Sequence, residues 1–304
     1  MAKWTTADIP PQRGRSVVVT GTGGLGFEDT LALARAGAEV ILAGRNTAKG
    51  TEAIGLIRKA VPDAKVSFEQ LDLANLASIA VFGERIRAKR TSLDVLINNA
   101  AVMTPPKRQE TADGFELQFG TNYLGHFALT AQLLPLLREG SKPRVVTVSS
   151  LAARSAKIDF DDLQAQRRYQ PMAVYGQSKL AQLVFALELQ RRSDRDGWGI
   201  ASAAAHPGIS RTDLLHNGAG RWSAPGMART FLWFLFQPAD QGALPTLFAA
   251  TSPEARGGTY YGPDKMSEMR GHPAEAKVPP LAKDAAAAAR LWQISERLTK
   301  ARFE

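Results

Sequence analysis

The N-terminal part of the sequence passes from a short apolar run through a glycine-rich turn into a helical stretch. Ser16–Thr20 is rich in β-branched residues and predicts a strand, residues 21–26 read GTGGLG, and residues 27–36 are typical of a helix. A strand, a glycine turn and a helix in this order are the context in which such glycines bind a dinucleotide. The turn lets the backbone approach a pyrophosphate at the helix N-terminus. For the motif taken alone, a purely structural glycine turn is the alternative.

Arg45, two positions after the second predicted strand, bears on the choice of dinucleotide. That strand covers residues 39–43, and Arg45 lies 19 residues after Gly26. Chains that bind NAD usually carry an acid at about this distance for the ribose 2′-hydroxyl, whereas an arginine suits a 2′-phosphate. The position therefore predicts NADP(H), with a simply solvated arginine as the alternative.

A tyrosine and a lysine four residues apart, Tyr175 and Lys179, predict an acid–base pair, and Ser150 lies upstream of them. Side chains four positions apart lie on one face of a helix, so the ammonium would stand beside the phenol. A free phenol has a pKa of about 10, and a neighbouring positive charge favours the phenolate and lowers that pKa. Ser150 would hydrogen-bond the same substrate oxygen. The pair alone is weak evidence, because this spacing occurs by chance in many helices.

In their order along the chain, these motifs resemble those of the short-chain dehydrogenase/reductase family over nearly the whole length. Ser150, Tyr175 and Lys179 resemble its catalytic residues, and Asn122 resembles its helix asparagine. The residues that resemble the family's cofactor contacts, besides Tyr175 and Lys179, are Gly21, Gly24, Leu25 and Gly26 in the loop, Arg45 and Asn46, Asp72 and Leu73, Asn99 and Ala100, and Pro207, Gly208, Ile209 and Thr212. Segments 122–127, 148–151 and 206–208 are most similar to the retinol-dehydrogenase-like branch and its bacterial relatives.

The resemblance implies a reaction in which a hydride moves between a nicotinamide and a carbonyl carbon. Tyr175 would protonate the developing alkoxide and Ser150 would stabilise it. Lys179 would lower the pKa of Tyr175 and bind the nicotinamide ribose. Asn122 would hold a water that connects Lys179 to solvent. The same motifs say almost nothing about the substrate.

Two positions depart from the family's pattern. The family loop usually reads TGxxxGxG, but only Thr22 and Gly23 lie between Gly21 and Gly24, so the loop is one residue short and its phosphate contacts are expected to be rearranged or weakened. Ala101 replaces the last glycine of the NNAG element. Its methyl group is tolerated if the backbone φ is negative and is strained if φ is positive.

Strand-like and helical segments alternate along the chain and predict an α/β fold. Strands are expected at residues 66–71, 93–97, 144–148 and 200–205, beside the two already described, and a helix is expected from residue 284 into Trp292. This pattern predicts a Rossmann-type, doubly wound parallel sheet with helices on both faces. We expect a single domain over residues 1–304, with residues 14–150 mainly binding the cofactor and residues 151–304 carrying the catalytic helix, a substrate flap and the C-terminal helix.

Composition excludes several other classes of protein. The net charge is +9, but the basic residues are spread along the chain, so a solvated basic surface is favoured over nucleic-acid binding. There are no cysteines and only four histidines, without metal-binding spacing, so neither a thiolate nor a metal site is expected. The N-terminus lacks an apolar signal core, and the apolar run 231–236 is far shorter than the ~20 residues that span a bilayer. We therefore expect a cytoplasmic protein without stable membrane insertion.

Two further expectations concern apolar surfaces. The run 231–236 contains Phe231, Trp233, Phe234 and Phe236 and falls where the family places a flap over the substrate, which predicts a pocket for an apolar or aromatic carbonyl. Core packing is an equally good alternative, and contact with a membrane surface is a third. The helix that follows Tyr175 is apolar around most of its circumference, which predicts a homodimer unless the C-terminal extension covers it.

The sequence thus predicts an NADP(H)-dependent oxidoreductase that interconverts a carbonyl and an alcohol. An NADPH-dependent C=C reductase similar to the protochlorophyllide reductases is one alternative, although that family uses a proton-donating cysteine and this chain has none. A non-catalytic NADPH-binding scaffold or sensor is the other, suggested by the shortened loop. The complete Asn–Ser–Tyr–Lys set argues against it.

Overall fold

The computed structural model describes residues 3–210 and 237–304, and these residues form one eight-stranded sheet. Its strands are β1 (Ser16–Thr20), β2 (Glu39–Gly44), β3 (Val66–Gln70), β4 (Val95–Asn98), β5 (Arg144–Val148), β6 (Ala201–Ala205), β7 (Tyr260–Lys265) and β8 (Arg270–Glu275). They lie in the order β3-β2-β1-β4-β5-β6-β7-β8, and only β8 runs antiparallel to its neighbour. The predicted doubly wound parallel sheet is confirmed.

Helices cover both faces of this sheet. They are α1 (Leu25–Arg35), α2 (Thr47–Ala60), α3 (Leu76–Lys89), α4 (Gly125–Arg138), α5 (Pro171–Asp196), α6 (Ala239–Thr251), the single turn α7 (Pro280–Lys283) and α8 (Ala285–Thr299). Two apolar clusters lie on opposite sides of the strands. One cluster draws on α1, α2 and α6, and the other draws on α3, α4, α5 and α8. Among the described residues no helix is long and apolar enough to cross a membrane.

The strand order places a cleft at one edge of the sheet. After β1 the chain winds outward through β2 and β3, and β4 then returns to the other side of β1. In open α/β sheets, ligands bind beyond the carboxyl ends of the strands at such a reversal of direction. The buried valines of β1 fix the centre of the sheet, and the glycine turn follows directly at its carboxyl end.

The apolar surface of α5 is covered within the chain. Trp292 of α8 stacks on Phe185 with 5.7 Å between ring centroids, and Phe303 packs against Trp292 at 4.4 Å. Leu183 and Leu187 of α5 are also buried. A second subunit is therefore not needed to cover this apolar surface of α5, because the C-terminal extension covers it. This cover favours the alternative to the homodimer, in which the C-terminal extension covers α5 within one chain, while the division of the chain near residue 150 stays a prediction.

Candidate active site

A cleft of about 900 Å³ opens at the carboxyl ends of β1, β2, β4 and β5. Most of the residues predicted from the sequence line it: Gly21, Gly24, Leu25, Arg45, Asn46, Asp72, Leu73, Asn99, Ala100, Ser150, Tyr175, Lys179, Pro207, Gly208 and Ile209. Gly26 and Asn122 lie behind its wall rather than in it. Thr212 and the whole apolar run 231–236 lie outside the described residues.

The glycine turn is built from positions that only glycine fills without strain. Gly21 has a φ of 97° and Gly24 a φ of 53°. A Cβ atom on Gly26 would lie 2.1 Å from the carbonyl oxygen of Gly21, so the first turn of α1 packs directly on the loop. Gly24 is the N-cap of α1 and offers no side-chain hydrogen bond to the amides of the first turn, and Gly24, Leu25 and Phe27 line the cleft. The effect of the shortened loop on phosphate contacts stays a prediction.

The far end of the cleft carries positive charge. Arg45 and Asn46 follow β2 and are exposed, and the Asn46 side chain caps α2 by accepting a hydrogen bond from the Lys49 amide at 3.0 Å. Lys49 lines the cleft beside Arg45, and so does Glu52 one turn later in α2. The sequence analysis did not name Lys49. Its signal was a basic residue three positions after a helix-capping asparagine.

Ser150, Tyr175 and Lys179 form one wall of the cleft. Ser150 caps the short 3₁₀ turn Leu151–Arg154 after β5, while Tyr175 and Lys179 lie one turn apart in α5, as predicted. The Lys179 ammonium nitrogen is 5.8 Å from the centroid of the Tyr175 ring. Both side chains are nearly inaccessible, with 4% of Tyr175 and 2% of Lys179 exposed. The structure therefore brings together the three side chains that the spacing suggested.

Burial dominates the electrostatics of this wall. Burial raises the pKa of Tyr175 to about 12, against a smaller opposing effect of the hydrogen bond with Ser150. Burial also lowers the pKa of Lys179 to about 7. The Lys179 Nζ donates a hydrogen bond to the Val148 carbonyl at 2.9 Å. We expected Lys179 to lower the pKa of Tyr175, but in the protein chain by itself that pKa is raised. The reason is that a buried phenol and a buried ammonium both favour their neutral forms.

Asn122 lies in a π-helical turn, Phe119–Leu124, that leads into α4. Its amide oxygen accepts from the Val102 amide at 2.8 Å, and its amide nitrogen donates to the Val102 carbonyl and to Ser178 Oγ, each at 2.9 Å. The side chain is fully buried and holds the segment after β4 against α5. Its expected role in holding a water stays a prediction.

The turn after β6 is fixed by an ionic cluster that the sequence analysis missed. Gly208 has a φ of 65°, and a Cβ atom there would lie 2.3 Å from the Met269 carbonyl. The His206 Nε2 lies 2.9 Å from Glu268 Oε2, and Arg154 pairs with the same carboxylate. Residues 266, 267 and 268 all have positive φ, at 50°, 55° and 67°. Glu268 reaches this turn only in the folded chain, so no local sequence motif predicts its contact with His206.

The substitution of alanine for the last glycine of the NNAG element is tolerated. Ala101 is not among the described non-glycine residues with positive φ. Its methyl group therefore adopts an ordinary backbone conformation and lines the cleft without strain.

Comparison with known proteins gives concordant matches. A family model described as short chain dehydrogenase matches residues 15–220. Polyprenol dehydrogenase of Mus musculus is 40% identical over 300 residues, which are 96% of this chain and 86% of that protein. Retinol dehydrogenase 13 of the same species is 40% identical over 299 residues, covering 96% and 85% respectively.

Two solved structures illustrate the similarity of the fold. An uncharacterised protein from Mycobacterium Paratuberculosis superposes with a TM-score of 0.82 at 40% identity, covering 100% of both chains. A short chain dehydrogenase from Shigella flexneri complexed with NADP has a TM-score of 0.66 at 21% identity and covers 83% of this chain and 98% of its own. At that identity the second match shows the fold alone.

Proposed function

The chain belongs to the short-chain dehydrogenase/reductase family, in its retinol-dehydrogenase-like branch, and from this premise we propose that it interconverts a carbonyl and an alcohol with NADP(H). The observation that carries the proposal is the convergence of Ser150, Tyr175 and Lys179 on one wall of the cleft that the glycine turn and Arg45 also line. A phenol, a hydroxyl and an ammonium around one space can bind and protonate a single substrate oxygen.

The residues present fit a nicotinamide dinucleotide. Gly26 leaves no space for a Cβ atom beneath the loop, and Gly21 and Gly24 have positive φ and line the cleft without side chains. Asp72 and Leu73 would hold the adenine, the segment around Asn99 would support the centre, and the turn at Pro207 and Gly208 would hold the nicotinamide. When bound, this group supplies or accepts the hydride. Everything else in the reaction falls to side chains of the protein.

Tyr175 is the residue that would exchange the proton. Because burial raises its pKa to about 12, the phenol carries its proton at neutral pH and is ready to protonate an alkoxide oxygen. Ser150 would donate a second hydrogen bond to that oxygen and orient it. Lys179 has a pKa lowered to about 7, so its charge responds strongly to whatever occupies the cleft. An anionic cofactor would favour the ammonium, which in turn would favour loss of the Tyr175 proton in the oxidative direction.

The preference for NADP(H) over NAD(H) rests on charge at the far end of the cleft. Arg45 occupies the position where NAD-binding chains carry an acid, and Lys49 lines the same cleft, so both would be available to a ribose 2′-phosphate. Two cations can form charge-assisted hydrogen bonds with a phosphate. The Shigella flexneri neighbour, which shares the fold, binds NADP.

An apolar or aromatic carbonyl is the proposed substrate class. The relatives at 40% identity are a polyprenol dehydrogenase and a retinol dehydrogenase, and both names denote long apolar alcohols. The apolar run 231–236, predicted to cover the substrate, agrees with this class. A cytoplasmic location stays a prediction.

The proposed function is tested with a panel of ketones, aldehydes and alcohols assayed with NADPH and NADP⁺, in the wild type and in Tyr175→Phe. The substitution keeps the ring and removes the proton, so we expect the rate to fall about 10²- to 10⁴-fold. NADPH affinity, measured by fluorescence titration, should change little. A Tyr175→Phe protein with near-wild-type turnover would contradict the mechanism. Binding of NADPH without turnover of any substrate would instead favour the scaffold.

A further inference from the structure

A buried histidine lies between Thr20, which precedes the glycine turn, and Asn122. His126 is the second residue of α4 and is 1% exposed. Its Nε2 is 2.9 Å from Thr20 Oγ1, at the end of β1, and its Nδ1 is 2.7 Å from the carbonyl oxygen of Asn122. The imidazole thus joins the strand that leads into the glycine turn to the π-helical turn that carries Asn122.

The hydrogen-bond partners fix the tautomer of this ring. A carbonyl oxygen can only accept, so the Nδ1 of His126 must carry the proton that is donated to Asn122. Thr20 Oγ1 already accepts from the amides of Asn99, at 2.9 Å, and Ala100, at 3.0 Å. Its own proton is therefore free to be donated, and Nε2 is a nearer acceptor than the Ile97 carbonyl at 3.3 Å. The Asn122 end of the ring requires a proton on Nδ1, and the Thr20 end favours an unprotonated Nε2, so the neutral tautomer with the proton on Nδ1 satisfies both ends.

A neutral ring is also what the surroundings favour. Burial lowers the pKa of His126 to about 4, with the hydrogen bond to Asn122 opposing the shift and the charge of Lys179 adding to it. Gln182 places its amide nitrogen 3.4 Å from Nδ1, while its amide oxygen has no partner among the described residues. A protonated Nδ1 and an amide nitrogen are both donors, so this tautomer fits the Gln182 amide turned with its oxygen toward Nδ1. The oxygen and nitrogen of such an amide are assigned from the hydrogen-bond network.

These bonds close a ring around the segment of chain that follows β4. Thr20 holds the amides of Asn99 and Ala100 from one side, and Asn122 holds both backbone groups of Val102 from the other side. His126 is hydrogen-bonded to both Thr20 and Asn122 and so connects them. All of residues 99–102 line the cleft, and Asn99 and Ala100 lie directly against Gly21 of the glycine turn.

We propose that His126 is a positioning residue that couples the cofactor loop to Asn122 through its Nδ1-protonated ring, and so sets the place of residues 99–102 for cofactor binding. The Thr20 hydroxyl has its two acceptor sites filled, so without the imidazole its proton loses its best-placed acceptor and the Asn122 carbonyl loses its donor. Thr20 and Asn122 are then both free to shift, although a substitution of His126 changes no side chain that lines the cleft. The NADPH titrations rest on the cofactor in the proposed function and the turnover measurement rests on its reaction, whereas the test of the tautomer rests on neither.

The tautomer is tested first, on the wild-type chain labelled with ¹⁵N-histidine. Nitrogen chemical shifts at pH 7 should show one buried imidazole with Nδ1 protonated and Nε2 unprotonated, and this signal should vanish in His126→Phe. A signal from this residue with the proton on Nε2, or with both nitrogens protonated, overturns the proposal. This measurement needs neither cofactor nor activity.

Cofactor binding is tested with His126→Phe, which keeps a planar ring but removes both hydrogen bonds, and with His126→Gln, whose amide oxygen can still accept from Thr20. We expect the dissociation constant for NADPH to rise about 10-fold or more in the phenylalanine variant, with a substantial part of the loss recovered in the glutamine variant. His272→Phe is the matched control. His272 also bonds a backbone carbonyl through Nδ1, that of Trp4 at 3.1 Å, but it does not line the cleft.

Coupling to the loop is tested with Thr20→Val in both backgrounds. If His126 acts through Thr20, His126→Phe should weaken NADPH binding much less in the Thr20→Val background than in the wild type. Additive effects of the two substitutions, or equal NADPH affinity in wild type and His126→Phe, overturn the proposal even where the variant loses thermal stability.

Where a carbonyl substrate is turned over, kcat should fall with NADPH affinity in His126→Phe. If no substrate is turned over, the proposed function fails while the NMR and NADPH titrations still decide the role of His126.

Discussion

At the scale of single residues, Arg45 offers the sharpest test of cofactor choice. A charge-assisted hydrogen bond contributes roughly 1.5–3 kcal/mol, which is about 10- to 100-fold in affinity. We expect Arg45→Asp to weaken NADPH binding by this factor and to improve NADH binding, because the carboxylate repels a 2′-phosphate and accepts from a 2′-hydroxyl. Fluorescence titration with both cofactors measures the change, and Arg45→Lys is the control that keeps the charge but not the planar fork. Equal wild-type affinity for NADH and NADPH would contradict the prediction.

How far single residues could be predicted depends on where their partners lie in the chain. Tyr175 and Lys179 are four residues apart on one helix, so local geometry alone brings them together. The contact between His206 and Glu268 spans 62 positions, and that between Thr20 and His126 spans 106. Such contacts are set by the packing of strands and helices and leave no pattern in the sequence. The direction in which the pKa of Tyr175 is shifted in the chain by itself could not be predicted for the same reason, because burial is a property of the fold.

At the scale of elements, the β7–β8 turn is a candidate for acid sensitivity. Burial opposes ionisation of Glu268, but hydrogen bonds from His206, the Lys277 amide and Arg154 together lower the pKa of this carboxyl to about 2 from its ordinary 4.5. A carboxyl with a lowered pKa stabilises the fold above its ordinary pKa and loses that contribution as the pH falls toward 2. His206, whose pKa is lowered chiefly by burial, acts in the same direction below pH 6.5.

We therefore expect Glu268→Gln to be less stable than the wild type at pH 7, with a difference that shrinks as the pH falls from about 4.5 to 2. Urea denaturation at a series of pH values measures the free energy of unfolding of both proteins. Glu254→Gln, at an exposed glutamate, is the control and should run parallel to the wild type. A wild-type minus Glu268→Gln difference that stays constant down to pH 2 would show that the carboxylate does not stabilise this turn.

The elements that the sequence did not predict are those whose residues are atypical of their structure. Strands β1, β2, β5 and β6 were predicted within a residue at either end because they are continuous apolar runs buried in a parallel sheet. The hairpin of β7 and β8 was missed, since Tyr260–Lys265 and Arg270–Glu275 each contain a proline, a residue atypical of strands. Strand β8 is the edge strand, where proline is tolerated, and Pro263 of β7 lies beyond the two positions at which β7 pairs with β6. The π-helical turn at Asn122 was also missed, because a π-helical turn has no distinctive local composition.

The apolar run 231–236 stays a prediction at this scale, since it lies outside the described residues. If it lines the substrate entrance, Trp233→Ala and Phe234→Ala should raise KM for a bulky apolar ketone more than for a small one. Only the bulky substrate buries surface against these rings, at about 25 cal/mol per Å² of apolar area. Melting temperature is measured beside both KM values. A large drop in melting temperature with an unchanged KM ratio would place these side chains in the core instead.

At the scale of the whole molecule, the C-terminal helix decides how the catalytic helix is covered. Trp292 is 1% exposed between Phe127, Phe185 and Phe303, and the Arg192 guanidinium lies 4.2 Å above its ring. Tyr123, in the π-helical turn that precedes α4, is hydrogen-bonded to Ser295 of α8 at 2.6 Å. The helix that carries Tyr175 and Lys179 is therefore supported from behind by the last 20 residues of the same chain. Cover from within one chain and cover by a second subunit make different predictions for stability.

We expect the melting temperature of the wild type to be independent of protein concentration, because the apolar face of α5 is buried by α8 rather than by a partner. Trp292→Ala should lower the free energy of unfolding by about 3–5 kcal/mol, the cost of a large buried aromatic. Light scattering should give a mass near 32.8 kDa at micromolar concentration. If α5 instead formed a dimer interface, mass action would raise the melting temperature with concentration and the measured mass would double. Calorimetry over a 100-fold range of concentration separates the two arrangements, and a melting temperature that rises over this range would restore the homodimer.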